Sequence, residues 1–245
     1  MGRKDQQGFC TALLLLTPSK KNSGMDIQTE AQPQYHMQPE QKSGHLFYHI
    51  ISYLFHPVFM PAAMTVLLYY YNKAEFISIN NTTPFWFGII LVNSIAFPLL
   101  LTFLLRKLNF IKSIRMEDAK DRIIPLIGTM IFYFWAYQVF KSIQAPFLMR
   151  NLLLGCFWGI IAVFIVNIFF KISMHTAAAG GAAGFGMLMV LYQQNDLLLP
   201  FMIILLAAGL VGTARMKLGA HIGLEIWLGY ITGIAAQLAA YVYLT

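Results

Sequence analysis

Charge is scarce in this chain: Lys and Arg together number 17 and Asp and Glu only 10 of 245 residues, so that 11% are charged. Soluble domains carry about a quarter, and a water-soluble globular reading is excluded. Cysteine is almost absent. Cys10 lies in a polar tail and Cys156 inside an apolar run, which leaves neither a disulfide framework nor the paired spacing of a cysteine zinc site. Of the 10 acidic residues, Glu117, Asp118 and Asp121 form the one short cluster. The formal charge of +7 invites a nucleic-acid reading, but the cations sit in the tail and at the ends of apolar runs rather than along one face, and no nucleic-acid partner is expected.

What the chain has in abundance is apolar sequence, 58% hydrophobic with 15% aromatic. Runs long enough to cross a bilayer core of about 30 Å fall at roughly 48–71, 85–106, 123–141, 150–170, 175–193, 198–213 and 221–244. The fold class expected is an all-α, polytopic membrane helical bundle with six to seven transmembrane helices. Residues 1–45 are polar and rich in Gln, Ser and Lys, a composition expected to stay disordered, and residues 46–245 form the membrane domain. His56-Pro57 and Pro61 are expected to kink the first span, because each proline removes a backbone donor. Trp86, Trp135, Trp158 and Trp227 fall within or near span ends, where aromatic anchors are common.

Three polar clusters interrupt the apolar sequence. They are Arg115 to Arg122, Lys171-Ile172-Ser173-Met174-His175, and Ala214-Arg215 followed after five residues by His221 and after three more by Glu225. With the spans above, all three fall on one side of the membrane, so they can meet without burying charge at the bilayer centre. Fourteen of the 17 Lys and Arg lie on that side, and Lys73, Lys141 and Arg150 lie opposite. By the positive-inside tendency the cluster side is expected to face the cytoplasm, in a bacterial inner membrane.

Ala177 to Gly186 holds nine small residues in ten positions. No strand precedes it, as a phosphate-cradling dinucleotide loop requires. It reads instead as a packing face, where small residues let membrane helices approach closely and so draw His175 toward His221.

The pattern Arg-x5-His-x3-acid, with a Ser-x-His and a basic pair upstream, resembles the type 2 phosphatidic acid phosphatase family, which shares its core with vanadium haloperoxidases. The likeness covers about residues 112–240. The family's final Ser-Arg-x5-His-x3-Asp stands here as Ala214, Arg215, His221 and Glu225, and its Pro-Ser-Gly-His as Ile172, Ser173, Met174 and His175. Its Lys-x6-Arg-Pro stands as Arg115-x6-Arg122 followed by Ile123. The resemblance implies a metal-independent hydrolase with no cofactor. His221 would attack phosphorus and carry a phosphohistidine, Glu225 would orient it, and His175 would act as general acid. Arg122, Arg215, Ser173 and Arg115 would bind phosphate. The partners implied are a lipid phosphate monoester or isoprenoid diphosphate and the surrounding membrane lipids.

Two alternatives stand beside this reading. One is a lipid-binding protein on the same fold without turnover, since Met174, Ala214 and Arg115 all fall within the motifs. The other is an intramembrane prenyltransferase holding magnesium diphosphate through Glu117, Asp118 and Asp121, carboxylates being suited to that hard cation.

Overall fold

The computed structural model describes residues 42–73, 76, 83–113, 120–193 and 197–245. Among these residues the secondary structure is helical throughout, with no strand. The N-terminal tail before Lys42, Arg115, Glu117 and Asp118 lie outside the described residues.

Eight helices follow in order. They are α1 (Lys42–Leu54), α2 (Met60–Tyr71), α3 (Thr83–Leu91 continuing through a π turn, Val92–Ala96, into Phe97–Lys107), α4 (Ile123–Ser142), α5 (Phe147–Phe169), α6 (Met174–Gln193), α7 (Leu198–Lys217) and α8 (Gly223–Leu244). Among the described residues six helical stretches, one from each of α3 to α8, are long and apolar enough to cross a membrane.

The first expected span is not one helix. It breaks into α1 and α2 at 55–59, and at 13 and 12 residues each reaches only about 20 Å, short of the bilayer core. Pro57 has no N–H to return to Tyr53, and it biases His56 away from helical backbone. His56 repairs part of the loss, its Nδ1 accepting from the Val58 N–H at 3.4 Å. Pro98 has the gentler effect of a π turn just before it in α3, the usual way a helix absorbs one missing bond. The span expected to end at 213 instead continues as helix to Lys217, so Arg215 occupies a last turn, where the helix dipole favours a cation.

Small residues bring α6 and α8 together. A Cβ at Gly229 would overlap the Thr176 hydroxyl, one at Gly233 would overlap the Ala177 carbonyl, and one at Gly180 would overlap the Tyr230 backbone. This is the packing face read from Ala177 to Gly186, met by a matching stripe on α8. At the opposite end of the bundle from the polar clusters, the core closes around Leu68, Trp86, Phe140, Leu148, Met149 and Phe185. Trp86 is therefore no interfacial anchor: it is 2% exposed and lies edge-on to Phe140. Trp227 is exposed near the start of α8, where an anchor belongs.

Candidate functional site

The spacing of the last motif follows from how α7 stops and α8 starts. Gly219 takes φ +63°, its N–H bonds the Met216 carbonyl at 3.0 Å and Ala220 N–H bonds the Arg215 carbonyl at 3.2 Å. This pair of bonds is a Schellman termination, which needs a left-handed residue that glycine supplies without strain. The chain reverses within four residues and delivers His221 beside the turn that carries Arg215. Helix α8 then begins at Gly223 with Glu225 in its first turn, and a carboxylate there is favoured by the unpaired amides of the helix start.

His221 and Glu225 are four residues apart and meet directly, Nδ1 to Oε2 at 2.6 Å. The carboxylate acceptor assigns the proton to Nδ1 and leaves Nε2 as the lone-pair nitrogen. His221 is 7% exposed. Burial holds its pKa below the usual imidazole value; the Glu225 hydrogen bond acts the other way, and the charges of Arg215 and Arg122 add to the lowering.

Ser173 and Arg122 reach the same place from other elements. Arg122 ends a short 3-10 turn, Lys120–Arg122, at the head of α4. It is buried and its Nη1 donates to the Ile172 carbonyl at 3.0 Å. The next residue, Ser173, is fully buried; its backbone N–H donates to the Glu225 carbonyl at 3.3 Å. The Ser173 hydroxyl accepts from the Thr176 N–H at 3.4 Å, capping α6, so it has a structural duty beside the phosphate-binding one inferred from the motif. Its proton stays available to donate.

Arg215 and His175 form the second half of the cluster, through a residue the sequence reading passed over. Arg215 Nη1 donates to the Ser52 hydroxyl at 2.9 Å, and Ser52 Oγ lies 3.4 Å from His175 Nε2. The ring of His56 stands edge-on to that of His175, centroids 5.1 Å apart. Ser52 and His56 sit one helical turn apart at the His56-Pro57 break. That break was visible in the sequence as a kink, but nothing in the motif pointed from it to the site.

Of the residues singled out in sequence, Arg122, Ser173, His175, Arg215, His221 and Glu225 gather at one end of the bundle, on six different elements counting the 170–173 and 218–222 connections. Arg115 falls outside the described residues. Asp121, the remaining carboxylate of the acidic cluster, accepts from the Lys112 backbone N–H at 3.1 Å and has a local role in its loop. Comparison with known proteins gives no match: no family model, no curated protein and no solved structure matches the chain.

The His221 environment fixes the sign of a pH effect. Glu225→Gln removes the influence that raises the His221 pKa and also weakens the hold on its tautomer. For the hydrolase that the motif resemblance implies, the expected outcome is a rate loss of about 10²-fold or more, with the acid limb of kcat/KM moving to lower pH. A limb that moves up instead contradicts the assignment of His221 as the group that must be unprotonated.

Proposed function

We propose that the protein is a membrane lipid phosphatase, hydrolysing a lipid phosphate monoester or isoprenoid diphosphate through a phosphohistidine on His221. One observation carries the reading. A neutral imidazole, locked by Glu225 at 2.6 Å, lies within the electrostatic reach of two arginines, and Nε of one of them, Arg215, is buried with no acceptor. An unpaired charged donor in a buried place is costly, and an anion with several oxygens is the group that satisfies it while still meeting Arg122.

In this reading the Nε2 lone pair of His221 forms a bond to phosphorus as the ester P–O bond breaks. Protonated His175 gives its proton to the departing oxygen. Water then attacks phosphorus and passes a proton back to His175, the P–N bond breaks, and inorganic phosphate leaves with His221 neutral again. Arg122 and Arg215 oppose the charge that develops on the phosphoryl oxygens. The lipid tail stays among the exposed apolar side chains of the bundle while the phosphate meets the arginines at the helix ends. The excess of Lys and Arg that the sequence pattern assigns to the cluster side supports a site facing the cytoplasm in a bacterial inner membrane.

The test is phosphate release in detergent with EDTA, from phosphatidate, phosphatidylglycerophosphate and undecaprenyl diphosphate. Metal-independent release supports the reading, and a strict Mg²⁺ requirement favours the carboxylate chemistry of a prenyltransferase-like site. One observation favours a second reading, a lipid-binding protein without turnover: both arginines already donate to protein oxygens, Ile172 O and Ser52 Oγ. Phosphate affinity without release from any of the three substrates identifies that case.

Arg122→Lys separates a planar donor from a point charge. Lysine keeps the charge but cannot hold the Ile172 carbonyl and an anion in one fork. The expected outcome is a kcat/KM loss of about 10- to 100-fold, read in the same release assay, and wild-type efficiency in this variant excludes a bidentate role.

A further inference from the structure

We propose that Ser52 of α1 is a positioning residue of the site, holding Arg215 and His175 in register, so that the N-terminal helix is part of the machinery rather than an addition ahead of it. The inference rests on the phosphatase reading and extends it to a residue outside the stretch that carries the motifs.

Serine and threonine in apolar helices ordinarily satisfy themselves. Thr65, Ser94, Thr102, Thr129 and Thr232 each donate to the carbonyl four residues earlier, at 2.7 to 2.8 Å, the standard local solution for a hydroxyl among apolar neighbours. Ser52 differs. It is 7% exposed, and its partners are on two other helices, Arg215 at 2.9 Å and His175 at 3.4 Å. A guanidinium donates only, so the serine oxygen must accept from it. A hydroxyl oxygen has two lone pairs, so in the protonated state of His175 that the proposed mechanism requires the same oxygen also accepts from Nε2–H, which leaves Nδ1–H as the ring's other donor.

The rest of α1 is built to hold Ser52 there. Ile51 is buried beside Ala208, Val211 and Ala214 of α7 and Ala179 of α6, with Tyr48 and Phe55 packed against the same cluster. The opposite side of the helix, Leu46, Ile50, Tyr53 and Leu54, is exposed and apolar, as suits a face turned to lipid. At the C-terminal end, the His56 ring fixed on Val58 N–H closes edge-on against His175. One short helix thus touches both the arginine and the histidine to which the proposed chemistry assigns oxyanion binding and proton transfer.

The experiment compares Ser52→Ala, Ser52→Thr and Ser52→Cys with the wild type and with Tyr53→Phe, an outward-facing control. Three readings are taken: phosphate release from phosphatidate vesicles, inhibition by inorganic phosphate, and the ¹⁵N spectrum of the His175 imidazole. Loss of positioning by about an ångström is expected to lower kcat about tenfold or more and to weaken inhibition by phosphate severalfold in Ser52→Ala. The His175 ring resonances shift, and Ser52→Thr restores all three. Ser52→Cys, of similar volume with a much weaker hydrogen bond, repeats the loss if the alanine variant does not fold.

The opposite sign overturns the inference. If Ser52 only blocks the anion position, Ser52→Ala binds phosphate more tightly and keeps its kcat. Unchanged His175 resonances in Ser52→Ala and Ser52→Cys overturn it as well. A wild type without turnover refutes the phosphatase reading alone, because phosphate affinity and the His175 spectrum still decide whether Ser52 positions the site.

Discussion

His221→Ala is expected to abolish turnover, with a loss of at least about 10³-fold in kcat, while the protein stays folded and still binds phosphate. In the proposed mechanism the side chain supplies the attacking nitrogen, and a nucleophile that forms the covalent intermediate has no substitute among its neighbours. His175 is held by Ser52 and Glu225 has lost its partner, so neither can take the role. Removal of the ring leaves Arg122, Arg215 and the unpaired Arg215 Nε, which is why anion affinity outlasts catalysis. Lys217→Ala serves as the contrast. It lies in the same last turn as Arg215 but is exposed, and its removal is expected to change the rate less than about twofold, as surface charges usually do. Equal rates in the two variants, measured as phosphate release, contradict the mechanism.

Gly233→Val is expected to be the most damaging change far from any charged group. A Cβ at this position meets the Ala177 carbonyl and the Gly181 backbone nitrogen, and backbone atoms cannot swing aside as a flexible side chain can. The two helices must separate. Overpacking of this kind costs about 1–3 kcal/mol where side chains can adjust, and contact with rigid backbone puts the change at or above the top of that range. The site depends on this packing. Helix α6 carries His175 and the Ser173 cap at its start, α8 carries Glu225, and a single backbone bond, Ser173 N–H to Glu225 carbonyl, ties the two ends. Reduced thermal stability in detergent together with lost turnover is the expected pair of results. Gly209→Ala, at a position where a Cβ meets nothing within 4 Å, should leave both nearly unchanged. Wild-type stability in Gly233→Val contradicts the account of small residues as the device that assembles the site.

The helical membrane class and the gathering of polar clusters at one end were legible in the sequence because both follow from patterns that act over short distances. Apolar run length sets helix count, and alternation of ends sets sides. The close approach of α6 and α8 was legible for a similar reason, since nine small residues in ten positions leave little else for that face to do. The broken first span was only half legible. His56-Pro57 announced a bend, but whether a helix absorbs a proline in a π turn, as α3 does before Pro98, or is divided by it, as at Pro57, depends on what packs on either side. Ser52 was not legible at all, because a single serine among apolar residues looks the same whether it bonds its own helix or reaches across to an arginine. Gly219 was available as a signal and explains the Arg-x5-His spacing, since a helix stop of this type fixes how many residues separate the last turn from the returning chain.

The most direct measurement is rapid quenching of the purified protein with phosphatidate labelled in its phosphate, in EDTA, followed by mapping of the labelled residue. The account predicts acid-labile, base-stable label on His221, formed and lost at rates compatible with phosphate release and absent from His221→Ala. Phosphate released at the wild-type rate by His221→Ala, with no label on His221 in the wild type, would contradict it.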